Sequence, residues 1–236
     1  MKHRELVNRS AAESNLAYQA KYRAQPKECD KVLLSLLEGL SGKLLDIGCS
    51  NGNLLRHIKS RYSFDLYGGD ISELRINACR KDPDLAGITF AVMDAMDLPA
   101  NSYDVIVANA VLCMLNKDEY TKAVHSIHKA LKPGGRLITL DWLHPANQDL
   151  AIIEESDEIP EGVRLYFRSY RWTRETLTKA GFHHIDFLPF ELPIDLPLDH
   201  SQAITTHTVK MSDGDRLQFR GALMQPWCHM VTRRGY

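Results

Sequence analysis

No sign of charge dominates this 236-residue chain: 29 Lys and Arg stand against 30 Asp and Glu, a formal charge of −1. Nothing global therefore draws it to a phosphate backbone, and a nucleic-acid partner would need a local basic patch. Cysteine is sparse. Cys29, Cys49, Cys79, Cys113 and Cys228 lie far apart, odd in number and without a C-x-x-C pair. That argues against a disulfide framework and a zinc site, and it suits a reducing cytoplasm. No apolar run approaches the ~18–20 residues that cross a bilayer. The charged first residues lack the apolar stretch of a signal peptide, so the expectation is a cytoplasmic chain without a membrane partner. Repeats and low-complexity segments are also missing. The pairs His125/His128 and His183-His184 have no companions at metal spacing, so no metal is expected.

What is present is an alternation of elements. Residues 28–40 carry Val32, Leu33, Leu36, Leu37 and Leu40 at helical spacing, after a more polar helical stretch around 16–22. Short apolar strands are then expected at 43–47, 64–70, 89–94, 103–108 and 136–140. Helices are expected near 54–58, 73–80 and 120–131, the last stopped by Lys132-Pro133-Gly134-Gly135. Strands separated by such helices imply right-handed crossovers and a parallel sheet covered on both faces. The last ninety residues differ: a helix at 173–180, a strand at 185–191, a hairpin over 205–220 and a final strand at 226–232 are expected.

The strongest local signal is LLDIGCSNG at 44–52, a strand opening into a glycine turn and then a helix. Gly48 allows a sharp turn, and Gly52 is expected to let a ligand lie against the backbone. A dinucleotide loop counted from Gly48 wants glycines at 50 and 53, where this chain has Ser50 and Asn53. Polar residues recur at strand ends: Asp46, then Asp70, Asp94 with Ala95, and Asn109. Four such positions in order line one crevice at the carboxyl ends of a parallel sheet. Each alone has a bland reading as a turn residue or cap.

Together LLDIGCSNG (44–52), GGD (68–70), MDAMDLP (93–99), YDVIVAN (103–109) and LKPGGRLI (131–138) resemble the class I SAM-dependent methyltransferases, over roughly residues 30–141. Ser50 departs from the family's frequent third-position glycine. The resemblance implies an α/β fold: a doubly wound, mostly parallel Rossmann-like sheet with an antiparallel C-terminal strand or hairpin and an N-terminal helical lid. It implies S-adenosylmethionine (SAM) as cofactor and S-adenosylhomocysteine as product. Gly48, Cys49 and Ser50 would approach the amino-acid part of SAM, Asp70 the ribose, and Asp94 and Ala95 the adenine. Tyr22, Asp46, Ile71 and Asn109 complete the expected cofactor set. One domain over 1–236 is expected, with residues 1–27 as lid and 141–172 and 193–222 as substrate-side insertions.

The acceptor side is less legible. Tyr18 and Tyr22 share a helix face, as a lid over SAM or as ordinary packing. Trp142 is expected to wall an acceptor pocket, and His144 is either a base or a solvated loop histidine. In VRLYFRSYRWTR (163–174), Arg164, Tyr166, Arg168, Tyr170 and Trp172 point one way if the chain is extended. That row reads as a carboxylate or phosphate pocket with Arg168 and Tyr170 on the substrate, as an RNA-stacking surface, or as aromatic packing. The leading expectation is methyl transfer to a small molecule, one bearing a carboxylate if Arg168 meets it. Alternatives are SAM-dependent alkyl transfer or cyclisation, RNA methylation, and a non-catalytic SAM-binding subunit. The attacked atom and oligomeric state are not written in the sequence.

Overall fold

A computed structural model describes residues 19–236 apart from 158, 193–194, 199–205, 213, 215, 221–222, 225 and 236. Tyr18 lies outside the described residues. The chain alternates α1 (Glu28–Ser35), β1 (Gly42–Ile47), α2 (Asn53–Lys59), β2 (Phe64–Asp70), α3 (Glu73–Lys81), β3 (Thr89–Val92), β4 (Tyr103–Asn109), α4 (Lys117–Ala130) and β5 (Leu131–His144). Then follow β6 (Leu150–Ser156), β7 (Ile159–Ser169), α5 (Tyr170–Lys179), β8 (Phe182–Pro189), β9 (Thr206–Lys210), β10 (Arg216–Arg220), β11 (Leu223–Met224) and β12 (Trp227–Arg234).

The main sheet runs β3-β2-β1-β4-β5-β12-β8, with β12 antiparallel to both neighbours. The first five strands are parallel, as the apolar runs require. β4 shows why: Val105 and Val107 face one buried cluster with α1, α2 and α3, while Ile106 and Ala108 face another with α4 and α5. Helix starts are set by side chains. Asn116 and Glu119 cap α4 reciprocally, at 3.0 and 2.8 Å. Ser169 accepts from the Trp172 N–H at 3.3 Å and begins α5. β9, β10 and β11 form a separate antiparallel sheet, the expected hairpin with one added strand.

Two expectations are corrected, the end of β5 and the extended row of 163–174. β5 does not stop at residue 140; it continues to His144 because β12 pairs with it as far as Trp142. α4 ends at Ala130, just before the expected stop at Lys132-Pro133-Gly134-Gly135, which lies in the irregular start of β5. The 141–172 insertion holds a hairpin of β6 and β7, whose end pairs with β5 through Leu143 and Arg168. The extended row through Trp172 is broken, since the Ser169 cap turns Tyr170 and Trp172 into a helix.

Candidate active site

The carboxyl ends of β1, β2 and β4 meet around the loop 48–52. The N–H groups of Gly48 and Cys49 donate to the Gly69 carbonyl at 2.7 and 3.0 Å, fastening the loop to β2. Gly48 has φ +77°, and a Cβ there would lie 2.3 Å from Val111 Cγ2. A side chain at that position would collide with the segment after β4, so glycine is required. Gly52 is corrected: its missing Cβ faces Leu85 Cδ1 at 2.6 Å, so the space belongs to the core and not to a ligand. Ser50 sits at φ +50°, left-handed backbone that a glycine would adopt at less cost. Its N–H donates to Asp70 Oδ2 at 2.9 Å. Asp70 Oδ1 accepts from the Ser72 N–H at 2.8 Å, so one carboxylate braces both loops while Ile71 bridges them, half-buried.

Asp46 is the most telling group. It is 2% exposed, and its Oδ1 has no hydrogen-bond partner. Burial pushes its carboxyl well above the usual range, and the nearby Asp30 and Asp70 push further. A buried carboxylate with an open oxygen and two acids nearby is costly to ionise unless a positive charge offsets it. Asp30 is itself buried and accepts from Asn109 Nδ2 at 2.9 Å, tying α1 across the end of β4. On β12, His229 Nε2 lies 3.0 Å from the Cys29 carbonyl. A carbonyl only accepts, so Nε2 carries the proton and Nδ1 is left as a buried lone pair without a partner. Burial keeps this imidazole below its ordinary pKa. Neither Asp30 nor His229 is singled out by sequence; only the fold brings α1 and β12 to the same strand ends.

The other expected residues divide. Asp94 follows β3, accepts from the Met96 N–H at 2.9 Å, and adjoins Asp70 through a Met93 N–H to Asp70 carbonyl bond of 3.0 Å. Ala95 is buried in the cluster that contains Ile47. Tyr22 is on the α2 side: its carbonyl accepts from His57 Nε2 at 3.1 Å, and Lys27 Nζ lies over its ring. Trp142 is buried, stacked on Phe167 at 4.5 Å and edge-on to Trp227 at 5.1 Å. His144 is half-buried, held below its ordinary pKa by burial and raised in part by Asp149.

Arg168 departs furthest from expectation. It is 1% exposed, its guanidinium lies 4.5 Å above the Tyr120 ring, and it donates to the carbonyls of Leu112 (3.1 Å) and Leu115. It therefore braces the segment after β4 from below instead of waiting for an acceptor carboxylate. Asp141, fully buried beside it, is pushed up to about 6 by burial, with Arg168 opposing. Tyr170 stacks on Phe187 at 4.3 Å, and Trp172 packs on Tyr120 at 5.2 Å. Of the three readings of 163–174, aromatic packing describes this geometry.

Comparison with known proteins finds likenesses to methyltransferases. Residues 44–135 match the family described as a methyltransferase domain. The ubiquinone/menaquinone biosynthesis C-methyltransferase UbiE of Desulfotalea psychrophila is 28% identical over 109 residues, 45% of this chain and 44% of that one. A SAM-dependent methyltransferase structure from Mesorhizobium loti aligns over 86% of this chain and 96% of its own, at TM-score 0.58 and 21% identity. The [4+2]-cyclase SpnF aligns over 68% of this chain and 59% of its own, at TM-score 0.54 and 25% identity. The chain spans 64%, 41% and 44% of the length of three curated relatives it matches.

Proposed function

We propose that the chain carries a class I SAM-dependent methyltransferase domain on its Rossmann-like fold and transfers the methyl group of SAM to a small-molecule acceptor. The observation that carries this reading is the unpartnered Oδ1 of buried Asp46, flanked by Asp30 and Asp70. SAM brings an ammonium and a sulfonium, and that acidic cluster suits both. In this reading Asp46 and Asp30 hold the ammonium end, Gly48, Cys49 and Ser50 cradle the amino-acid part, and Asp70 accepts from the ribose. Asp94 accepts from the adenine amine, Ala95 packs against the ring, and Asn109 faces the reacting end.

A sulfonium-bound methyl is already activated, so orientation and exclusion of water supply most of the catalysis. In this reading His144 is the proton acceptor for a hydroxyl nucleophile, its imidazole held below the ordinary pKa by burial against the opposing charge of Asp149. A carboxylate on the acceptor loses its sequence-based support, because Arg168 is already engaged. The likeness to UbiE supports a small-molecule acceptor.

Methyl-labelled SAM, incubated with the protein and a panel of phenols, amines and activated carbons, tests this. The expected result is S-adenosylhomocysteine and methylated product in equal amounts. The SpnF likeness supports a second reading, in which the fold performs a cyclisation without spending the methyl group. A product of unchanged mass, formed while SAM stays intact, selects that reading.

A further inference from the structure

Cys49 belongs to the loop after β1 and Cys79 to α3, yet their buried side chains end at one point. Cys79 Sγ lies 3.3 Å and Cys49 Sγ 4.0 Å from the same Ser50 carbonyl oxygen. The two thiols also interact directly with each other. A Cβ at Gly52 would stand 3.5 Å from Cys79 Sγ, which places that sulfur against the underside of the loop. On its other side Cys79 lines a solvent-open cavity of about 410 Å³, with Arg23, Asn51, Asp82 and Pro83. Cys113 and Cys228 are engaged differently, with Asp141 and Tyr170.

We propose that Cys49 and Cys79 are a redox-sensitive pair beneath the cofactor loop, which a hydroperoxide converts to a disulfide that disables SAM binding. The proposal rests on the reading of loop 48–52 as the SAM cradle. Cys79 is the attacking thiol, since it faces the cavity. A hydrogen bond from Cys49, helped by the charge of Arg56, holds its pKa below the ordinary value despite burial. Its sulfur attacks the peroxide O–O bond and becomes a sulfenic acid, releasing one water. The Cys49 thiol then attacks that sulfur, the S–S bond forms and a second water leaves. Two thiols thus lose two electrons and two protons, and one hydrogen peroxide becomes two waters.

The consequence is geometric. A disulfide needs sulfurs about 2.05 Å apart, so the pair must close by roughly 1.5 Å from non-bonded contact. Cys79 is fixed within a helix, so most of that movement falls on the loop. Ser50, adjacent to Cys49, is bonded through its N–H to Asp70. A displacement of that size exceeds the ~0.5 Å tolerance of a preorganised site.

The test treats the reduced full chain with hydrogen peroxide, then follows thiol alkylation, peptide mass and calorimetric titration with S-adenosylhomocysteine. The expected result is a linked Cys49–Cys79 peptide about 2 Da lighter than its parts. Affinity is expected to fall at least tenfold and to recover with dithiothreitol. Cys79→Ser, or Cys79→Ala if the serine variant misfolds, is expected to bind like the reduced wild type before and after peroxide. Both thiols remaining alkylatable, or a linked protein that binds as before, overturns the proposal. If the reduced wild type does not bind at all, the cofactor reading fails on its own, while the linked peptide still decides whether the pair forms.

Discussion

Asp70 holds two structural bonds besides its proposed ribose contact, since its oxygens accept from the Ser50 and Ser72 N–H groups. Asp70→Ala is therefore expected to do two things. It weakens S-adenosylhomocysteine binding about a hundredfold, and it lowers stability by ~1–3 kcal/mol because one buried and one part-buried N–H lose their acceptor. Calorimetry and urea unfolding on one variant check both, and unchanged affinity in a folded protein removes Asp70 from the site. Asp141 gives a pH signature. An acid whose folded pKa is raised, here to about 6, adds stability that is full below its unfolded value near 4 and is lost as pH rises through 6. Asp141→Asn removes that dependence. Its unfolding free energy relative to wild type should climb by on the order of 2–3 kcal/mol between pH 4 and 7. A pH-independent difference would show that Asp141 titrates normally.

At the scale of elements, the segment before α1 is anchored to α2 and α3. Asn53 Nδ2 donates to the Gln19 carbonyl at 2.7 Å, His57 meets the Tyr22 carbonyl, and Arg23 pairs with Asp82 and Asp84. Arg56 shares Asp82 at 2.6 Å, completing a charged clasp. Deleting residues 1–24 is expected to leave a folded domain with turnover reduced at least tenfold, because the clasp positions whatever closes over the crevice. Full turnover in the truncated protein would reduce the segment to a tail. The segment after β4 depends on Arg168 in the same way. Arg168→Lys keeps the charge but cannot reach two carbonyls in a planar fork, so thermal unfolding should show a loss of ~2–3 kcal/mol. A change near zero would mean the guanidinium is not needed there.

These two cases show what the sequence can and cannot convey. The strand-end acids were legible because each closes an apolar run, a periodic signal within a few residues. The role of Arg168 is not legible, because its partners are backbone carbonyls of the 112–115 segment, far away in the chain, and no pattern marks a carbonyl. The Ser169 cap is hidden for a similar reason: an alternating VRLYFRSYRW run reads as a strand until one serine bonds the third N–H ahead. Asp30 and His229 come together only after α1 crosses β4 and β12 inserts beside β5.

For the whole molecule, the sheet order leaves a crevice where strands on either side of β1 and β4 diverge, the position at which open α/β sheets take ligands. A ligand that binds only the folded chain stabilises it by ~2.7 kcal/mol at a hundred times its Kd. For a chain of this size that is a rise of roughly 5–10 °C in Tm. Calorimetric titration of the reduced protein with S-adenosylhomocysteine, run beside NAD, bears most directly on the account. Saturable one-to-one binding of S-adenosylhomocysteine, lost in Asp46→Ala and absent with NAD, is the predicted result. Saturable binding of NAD with none of S-adenosylhomocysteine would contradict it.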